Sequence, residues 1–390
     1  MRAKGNHERY TLADHLLQIG VVLGAIAVVL GLGSSIYYGL AAHNIPINFS
    51  FLWQKSGLHL TEGLTLDWSD GLSLQGFTSN DTNLQALILG LYNTLKVALI
   101  GIVFSTLLGL LVGAGRVSQN WMLNRVSLAF VELIRNTPLL IQLFFWYFAV
   151  VLQLPALRSA SVFYGAIASR QGIYIPGVLI APTWPYFWWA ILLSIVALLL
   201  ILAYTRGTGR RVSRWLGIGL VVLAWLVAMA MQGLPLHVDF PVASRFRASG
   251  GWAFSPEFSA ILLALVVYTA AFIAEIVRGS IESITNRQWM AAYALGLKRH
   301  QAMVHIILPQ AFRILIPPLV NQYLNLAKNT SLAIAIGFPD LFNIYGTIAN
   351  QTGRSMEGIL IVMVAYLLLN WLISLLMNIY NRRLLAQGAR

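Results

Sequence analysis

Charged side chains stand inside several long apolar runs of this sequence, and they are the first candidates for chemistry. They are Lys96, Glu132, Arg135, Glu275 and Lys328. An ionisable group within an apolar segment is costly, so it usually faces a protein interior or a water-filled path. Lys96 lies close enough to the start of its run to reach the surface instead. We therefore treat these residues as candidates for a functional site.

Two of the runs share the pattern Glu-x-x-Arg. It occurs as Glu132 to Arg135 and again as Glu275 to Arg278. Residues three apart on a helix are neighbours, so each pair could join within its own helix, an interaction worth roughly 0.2–0.5 kcal/mol. The alternative is an exchange of partners between the two helices, Glu132 with Arg278 and Glu275 with Arg135. Both arrangements remain open from the sequence.

The run at 311–338 carries its polar side chains on one face. At 100° per residue, five of them fall within an arc of about 120°: Asn321, Gln322, Asn325, Lys328 and Asn329. Such a stripe forms either a polar contact with another helix or the lining of a transport path. The ammonium group of Lys328 favours the lining, because it needs water or a counter-charge. Pro317 and Pro318, one turn earlier, predict a kink.

The elements that must position these residues are transmembrane helices. The chain has 390 residues, of which 58% are apolar and only 10% charged, so it is neither an ordinary soluble domain nor disordered. A helix needs roughly 20 mostly apolar residues to cross a bilayer. The sequence therefore predicts an all-α polytopic membrane protein with eight helices, at about 16–40, 84–115, 126–153, 184–205, 214–233, 256–284, 311–338 and 357–381. Cysteine is absent, which excludes disulfides and thiolate metal sites.

The distribution of basic residues predicts the orientation of these helices. With both termini in the cytoplasm, the inner segments hold 17 Lys and Arg residues and the outer segments hold 6, and an excess of positive charge is expected on the cytoplasmic side. The net charge of +13 is therefore a topology signal, and no nucleic-acid partner is expected. The first apolar run is too long for a cleaved signal and is expected to remain as an anchor helix. The basic hairpin tip at 206–214 is expected to attract anionic membrane lipid, and the alternative is a role in holding a partner permease.

The most specific motif lies in the inner loop between the sixth and seventh segments. In order along the chain it contains Gln288, Met290, Ala291, Ala292 and Gly296, and after nine intervening residues Ile306, Ile307, Leu308 and Pro309. Alanine favours a helix, and Gly296 then lets the backbone leave it. A short cytoplasmic helix is therefore expected here.

This motif resembles the EAA loop of the permease subunits of binding-protein-dependent ABC importers, with Met290 in place of the family's glutamate. The stretches 132–140, 274–281 and 328–332 resemble the polar amino-acid branch of that family. A long outer loop at 41–83 and an extra hairpin at 184–233 are similar to the larger permeases of general L-amino-acid systems.

The resemblance implies a fold and a division into domains. Residues 1–83 would form a cytoplasmic N-terminus, an anchor helix and a periplasmic loop. Residues 84–390 would form the type I importer transmembrane domain, with the inserted hairpin and a coupling loop at about 285–309.

The resemblance also implies a function: a permease subunit of an ATP-driven amino-acid importer in the bacterial inner membrane, not an enzyme. Its expected partners are a dimer of ATPase subunits, a second permease that is a different chain, and a periplasmic amino-acid-binding protein. No metal or cofactor is expected on this chain. ATP and Mg would be bound by the ATPase, since this sequence has no Gly-x4-Gly-Lys-Ser/Thr loop.

Two groups of site residues are expected, the first from the resemblance and the second from the charged and polar side chains inside the apolar runs. Those expected to couple to the ATPase are Gln288, Met290, Ala291, Ala292, Gly296, Ile306, Leu308 and Pro309. Those expected to line the translocation path or form a gate are Glu132, Arg135, Glu275, Arg278, Asn321, Asn325, Lys328 and Asn329. Two other classes stay open: a secondary transporter or channel, which would show inverted repeats, and a membrane-embedded enzyme, which would need a cluster of His, Asp or Glu.

Overall fold

The computed structural model describes residues 12–42, 48–60, 62–67, 73–160, 162–208, 211–244 and 248–387. Within them the α-helices are α1 (Leu12–Ala42), α2 (Asn83–Arg116), α3 (Trp121–Arg135), α4 (Leu139–Phe144), α5 (Phe187–Thr208), α6 (Arg211–Gln232), α7 (Pro256–Glu282), α8 (Asn286–Ala294), α9 (Arg299–Ala302), α10 (Leu308–Asn329), α11 (Leu341–Thr352) and α12 (Ser355–Gln387). A π-helical segment, Phe145–Val151, continues α4, and a second, Met303–Ile307, precedes α10. A 3₁₀ segment, Thr330–Ile336, extends α10. The expected helical architecture is confirmed.

The number of spanning helices differs from the expected eight. Among the described residues, six helices are long and apolar enough to cross a membrane, or seven if α3 and the α4 segment count as one bent span. That span, expected as one helix at 126–153, bends by 103°. Pro138 explains the break, because proline has no N–H and disfavours a helical residue before it. The span expected at 184–205 appears as a shorter apolar helix, Trp189–Thr205, within α5.

The loops expected on the outer side contain short strands that the sequence analysis did not predict. These are β1 (Leu64–Asp67), β2 (Ser73–Gly76), β3 (Val162–Phe163), β4 (Ala166–Ser169), β5 (Gly172–Ile175), β6 (Gly177–Ile180), β7 (Leu236–Asp239), β8 (Val242–Ala243), β9 (Ala248–Ser249) and β10 (Trp252–Phe254). All pairings are antiparallel: one sheet has the order β10-β5-β4-β3, and the others are the pairs β1-β2, β6-β7 and β8-β9. These strands and α11 lie at the same end of the bundle, which we call the strand end. The opposite end, near α8, is the α8 end.

The core of the bundle is the close packing of α2 on α7. Small residues recur every four positions on α2, at Gly101, Ser105, Gly109 and Gly113. A Cβ atom at Gly109 would lie 2.6 Å from Cβ of Ile273, and a Cβ atom at Gly113 would overlap a side chain of α7 in the same way. Small residues let two helix backbones approach in a membrane. This approach places the charged ends of α2 and α7 side by side.

We expect Gly109→Val to destabilise the protein. The added atoms would overlap the side chain of Ile273, and overpacking a core costs about 1–3 kcal/mol. Thermal unfolding of the detergent-purified protein measures the loss. Gly279→Val is the matched control, because a Cβ there meets nothing within 4 Å. An equal loss of stability in the two variants would contradict this packing.

Helices α1, α5 and α6 contribute no residue to the buried clusters of the described core. The described side chains of α1 are exposed, and α5 packs against α6, where Trp184 and Trp225 stack with ring centroids 5.5 Å apart. The expected cytoplasmic N-terminus at 1–11 and part of the hairpin tip, at 209–210, lie outside the described residues. The expected division into domains stays a prediction.

Candidate transport and coupling sites

The short helix expected in the inner loop is α8, and it ends as the sequence predicts. Leu295 is its C-cap, and Gly296 follows with φ of +75°. A positive φ at this position is the usual end of a helix and favours glycine. The chain then returns through α9 and the π-helical turn, and α10 begins at Leu308. The predicted helix and the predicted backbone conformation of Gly296 are confirmed.

One face of α8 is fixed to the bundle and the other is free. Ala292 is fully buried, and Trp289 packs against a cluster formed by Ile284, Ile307 and Ala311. On the free face, Met290 is 62% exposed and Leu295 is 77% exposed. This apolar surface at the tip of the molecule has the character of a docking surface for another protein.

Charged residues at the ends of α2 and α7 form a network near α8. The guanidinium of Arg278 donates from Nε to Oε1 of Glu275 at 3.0 Å, and it also contacts Glu282. Arg116, the last residue of α2, lies 3.6 Å from the other oxygen of Glu275. Nε of Arg116 is buried and has no hydrogen-bond partner within the described part of the chain. The carboxylate of Glu275 therefore joins α2 to α7.

Of the two arrangements that the sequence leaves open, the exchange of partners between α3 and α7 forms no ion pair among the described residues. Glu132 is exposed and takes part in none of the ion pairs found among the described residues. Arg135 lies over the ring of Phe272, 5.2 Å from its centroid. Spacing of three residues brings Glu275 and Arg278 together on one helix, so the intrahelical alternative is correct for α7. Sequence reasoning missed Arg116, whose place in the last turn of α2 was the available signal.

A double-mutant cycle separates these arrangements. We expect Arg116→Met and Glu275→Gln to be non-additive in thermal stability, with a coupling of about 0.5–3 kcal/mol, because each residue is the other's partner. Glu132→Gln and Arg278→Gln are expected to add, because the two side chains do not meet. A larger coupling for the Glu132 and Arg278 pair would restore the exchange of partners.

The polar stripe on α10 does not face the rest of this chain. Asn321, Asn325 and Lys328 are exposed, while Gln322 and Asn329 are half-buried. The opposite face of α10 is buried through residues such as Leu319, Tyr323 and Leu326. α10 runs without a break through Pro317 and Pro318. A polar contact within the chain is therefore wrong for the exposed members, Asn321, Asn325 and Lys328.

The strand end holds two acidic residues that the sequence analysis did not single out. Glu62 lies 3.1 Å from Nζ of Lys96, which explains how that lysine is accommodated. Asp340 caps α11 by accepting a hydrogen bond from the backbone N–H of Asn343 at 2.8 Å. Burial raises the pKa of Asp340 to about 6, against the lowering effect of its hydrogen bonds. Both residues lie in loops, and a search for charged residues inside long apolar runs does not find them.

Comparison with known proteins identifies the family. Residues 183–386 match the family described as "Binding-protein-dependent transport system inner membrane component". The permease protein AapQ of a general L-amino acid transport system from Rhizobium johnstonii is 40% identical over 349 residues, covering 88% of this chain and 87% of AapQ. BztB of Rhodobacter capsulatus, a permease protein of a glutamate/glutamine/aspartate/asparagine transport system, is 35% identical over 407 aligned positions, covering 94% of this chain and 92% of BztB.

A third relative also aligns with most of this chain. The permease protein YhdX of Escherichia coli (strain K12) is 39% identical over 381 residues, covering 96% of this chain and 94% of its own. Relatives this similar over most of both chains, together with the family match, establish membership. The chain therefore belongs to the multi-pass membrane permeases of binding-protein-dependent ABC transporters, within the amino-acid group, and it is a transport subunit and not an enzyme.

Proposed function

We propose that this chain forms half of the translocation path of an amino-acid importer and couples to its ATPase through the free face of α8. The observation that carries the proposal is the exposed apolar surface of Met290 and Leu295, which a rigid cluster holds at one end of the bundle. The other proposed coupling residues, Gln288, Ala291, Gly296, Leu308 and Pro309, lie on or beside the same loop. Ala292 is buried beneath it, and Ile306 packs against the cluster.

The stripe on α10 supports a second permease. Asn321, Asn325 and Lys328 are polar, exposed and on one helix face. Polar groups at membrane depth do not face lipid, so a water-filled path shared with another subunit would accommodate them. We propose that this subunit is a different chain and that Asn329, Glu132, Arg135, Glu275 and Arg278 border the path or its gate.

The distribution of basic residues between the α8 end and the strand end supports one orientation of the chain in the membrane. We propose that α8 lies in the cytoplasm of the bacterium, with both termini, and that the strand end faces the periplasm, where a binding protein would deliver the amino acid. The basic residues on the α8 side support this assignment. ATP and Mg would be held by the ATPase dimer, and this chain would bind neither. Residues 84–390 would form the transmembrane domain and 1–83 an added anchor and periplasmic loop.

Co-purification tests the proposed partnership. The tagged chain, extracted from native membranes in mild detergent, is expected to carry an ATPase subunit and a second permease, identified by mass spectrometry. Met290→Arg is expected to lose the ATPase and keep the second permease, because it places a charge on the apolar face of α8. The control is Lys55→Glu, which changes a charge on an exposed loop at the strand end. Equal recovery of the ATPase with Met290→Arg would contradict the assigned surface.

A further inference from the structure

A polar cavity at the strand end is independent of both sites described above. Its volume is about 300 Å³, and residues from four parts of the chain line it, among them Glu62, Tyr92, Lys96, Tyr174, Ala253 and Phe254. None of its lining residues belongs to α8 or to the stripe on α10. The volume is at the small end of ligand pockets, which span about 300–1,000 Å³. A molecule the size of an amino acid suits it.

The cavity contains one positive and one negative group. Nζ of Lys96 lies 3.1 Å from Oε1 of Glu62, and it also lies 4.4 Å from the ring centroid of Phe258 and 5.1 Å from that of Phe254. The second carboxylate oxygen of Glu62, Oε2, is buried and has no hydrogen-bond partner among the described residues. A buried charged acceptor without a donor is unfavourable. The carboxylate of Glu62 is therefore only partly satisfied by the described chain.

The ion pair is not required to hold its segment in place. Nδ2 of Asn93 donates to the carbonyl of Glu62 at 3.1 Å. Oγ1 of Thr65 donates to the carbonyl of Gln85 at 2.7 Å, and Nε2 of Gln85 donates to the carbonyl of Leu66 at 3.0 Å. These neutral contacts already fix the segment to α2. A buried ion pair adds little net stability beyond them, because desolvation opposes it.

We propose that this cavity binds a free α-amino acid by its zwitterionic head group. The ammonium group of the ligand donates to the carboxylate of Glu62, and its carboxylate accepts from Nζ of Lys96. Tyr92 and Tyr174 line the same cavity. This inference rests on the proposed function, and it gives the importer a substrate site at its strand end, separate from the stripe on α10.

The absence of cysteine from this chain allows a direct test. Ala253→Cys places one thiol in the lining of the cavity, on an exposed residue of β10. The complex with its ATPase, in nanodiscs without binding protein, is treated with a maleimide, and labelling of this chain is followed. L-glutamine is expected to slow labelling at least fivefold. Ala243→Cys, on an exposed residue of β8 outside the cavity, is the control and is expected to be unaffected.

Two analogues test the head group without altering the protein's charges. Glutaramate lacks the ammonium of glutamine and 4-aminobutanamide lacks its carboxylate, and neither is expected to protect Ala253→Cys. Adding Glu62→Gln is expected to raise the glutamine concentration for half-protection at least tenfold. Protection by 4-aminobutanamide as strong as by glutamine would overturn the zwitterion site in favour of a simple cation site. No protection by glutamine, or equal protection of both cysteines, would overturn it entirely.

The same preparation separates this inference from the proposed function. ATP-dependent uptake of amino acid without protection of Ala253→Cys would overturn the cavity alone. Protection without ATP-dependent uptake would support the cavity and overturn the proposed function.

Discussion

Gly296→Val is expected to leave the protein in the membrane and to abolish most of the ATP hydrolysis that substrate-loaded binding protein stimulates. The backbone of Gly296 has φ of +75°, a conformation that a β-branched residue opposes at a cost of about 1–3 kcal/mol. Relief of that strain would turn α8 away from the angle that its anchored face requires. The loss is expected to be tenfold or more, since each 1.4 kcal/mol changes a population by a factor of ten.

The design of this experiment separates strain from crowding. A Cβ atom at Gly296 would meet nothing within 4 Å, so only the backbone conformation opposes a larger residue. Gly296→Asn is the matched control, because asparagine tolerates the left-handed region. It is expected to retain most of the stimulation. Normal stimulation in the complex with Gly296→Val would refute the coupling role of this loop.

Lys328→Met is expected to reduce amino-acid uptake about tenfold or more while the complex still assembles. The ammonium is exposed on the polar face of α10, and the buried face of that helix does not depend on it. A hydrogen bond to a charged group is worth about 1.5–3 kcal/mol, so its loss within a path has a large effect on uptake. Uptake by cells or proteoliposomes, normalised to the amount of complex, measures the change.

Two variants accompany this measurement. Lys328→Arg keeps the charge and is expected to restore part of the uptake. Lys55→Met removes a lysine from an exposed loop at the strand end and is expected to have no effect. Uptake by Lys328→Met at the normal rate for every amino acid tested would remove this residue from the path.

Local features of the molecule could be predicted from the sequence, because they depend on residues close together in the chain. The end of α8 at Gly296 follows from helix propensity and from the need for a positive φ. The pair of Glu275 and Arg278 follows from the geometry of one helix turn, although the sequence left the alternative open. The polar stripe on α10 follows from helical periodicity. In each case a few neighbouring residues carry the information.

Features that depend on tertiary packing could not be predicted in this way. Arg116 meets Glu275 only because Gly109 and Gly113 let α2 approach α7. Glu62 meets Lys96 from 34 residues away, through a loop whose short strands carry little periodic signal. Pro138 is a sequence signal for the break in this span. The apolar run continues on both sides of it, and for that reason one continuous helix was predicted.

ATP-dependent uptake in proteoliposomes tests the central claim most directly. The chain is reconstituted with its ATPase and second permease, the binding protein and radiolabelled L-glutamine are placed on one side, and ATP with Mg on the other. The account predicts uptake that requires ATP, the ATPase and the binding protein together, and that is lost with Gly296→Val. Uptake that continues at the same rate without ATP or without the ATPase would contradict it.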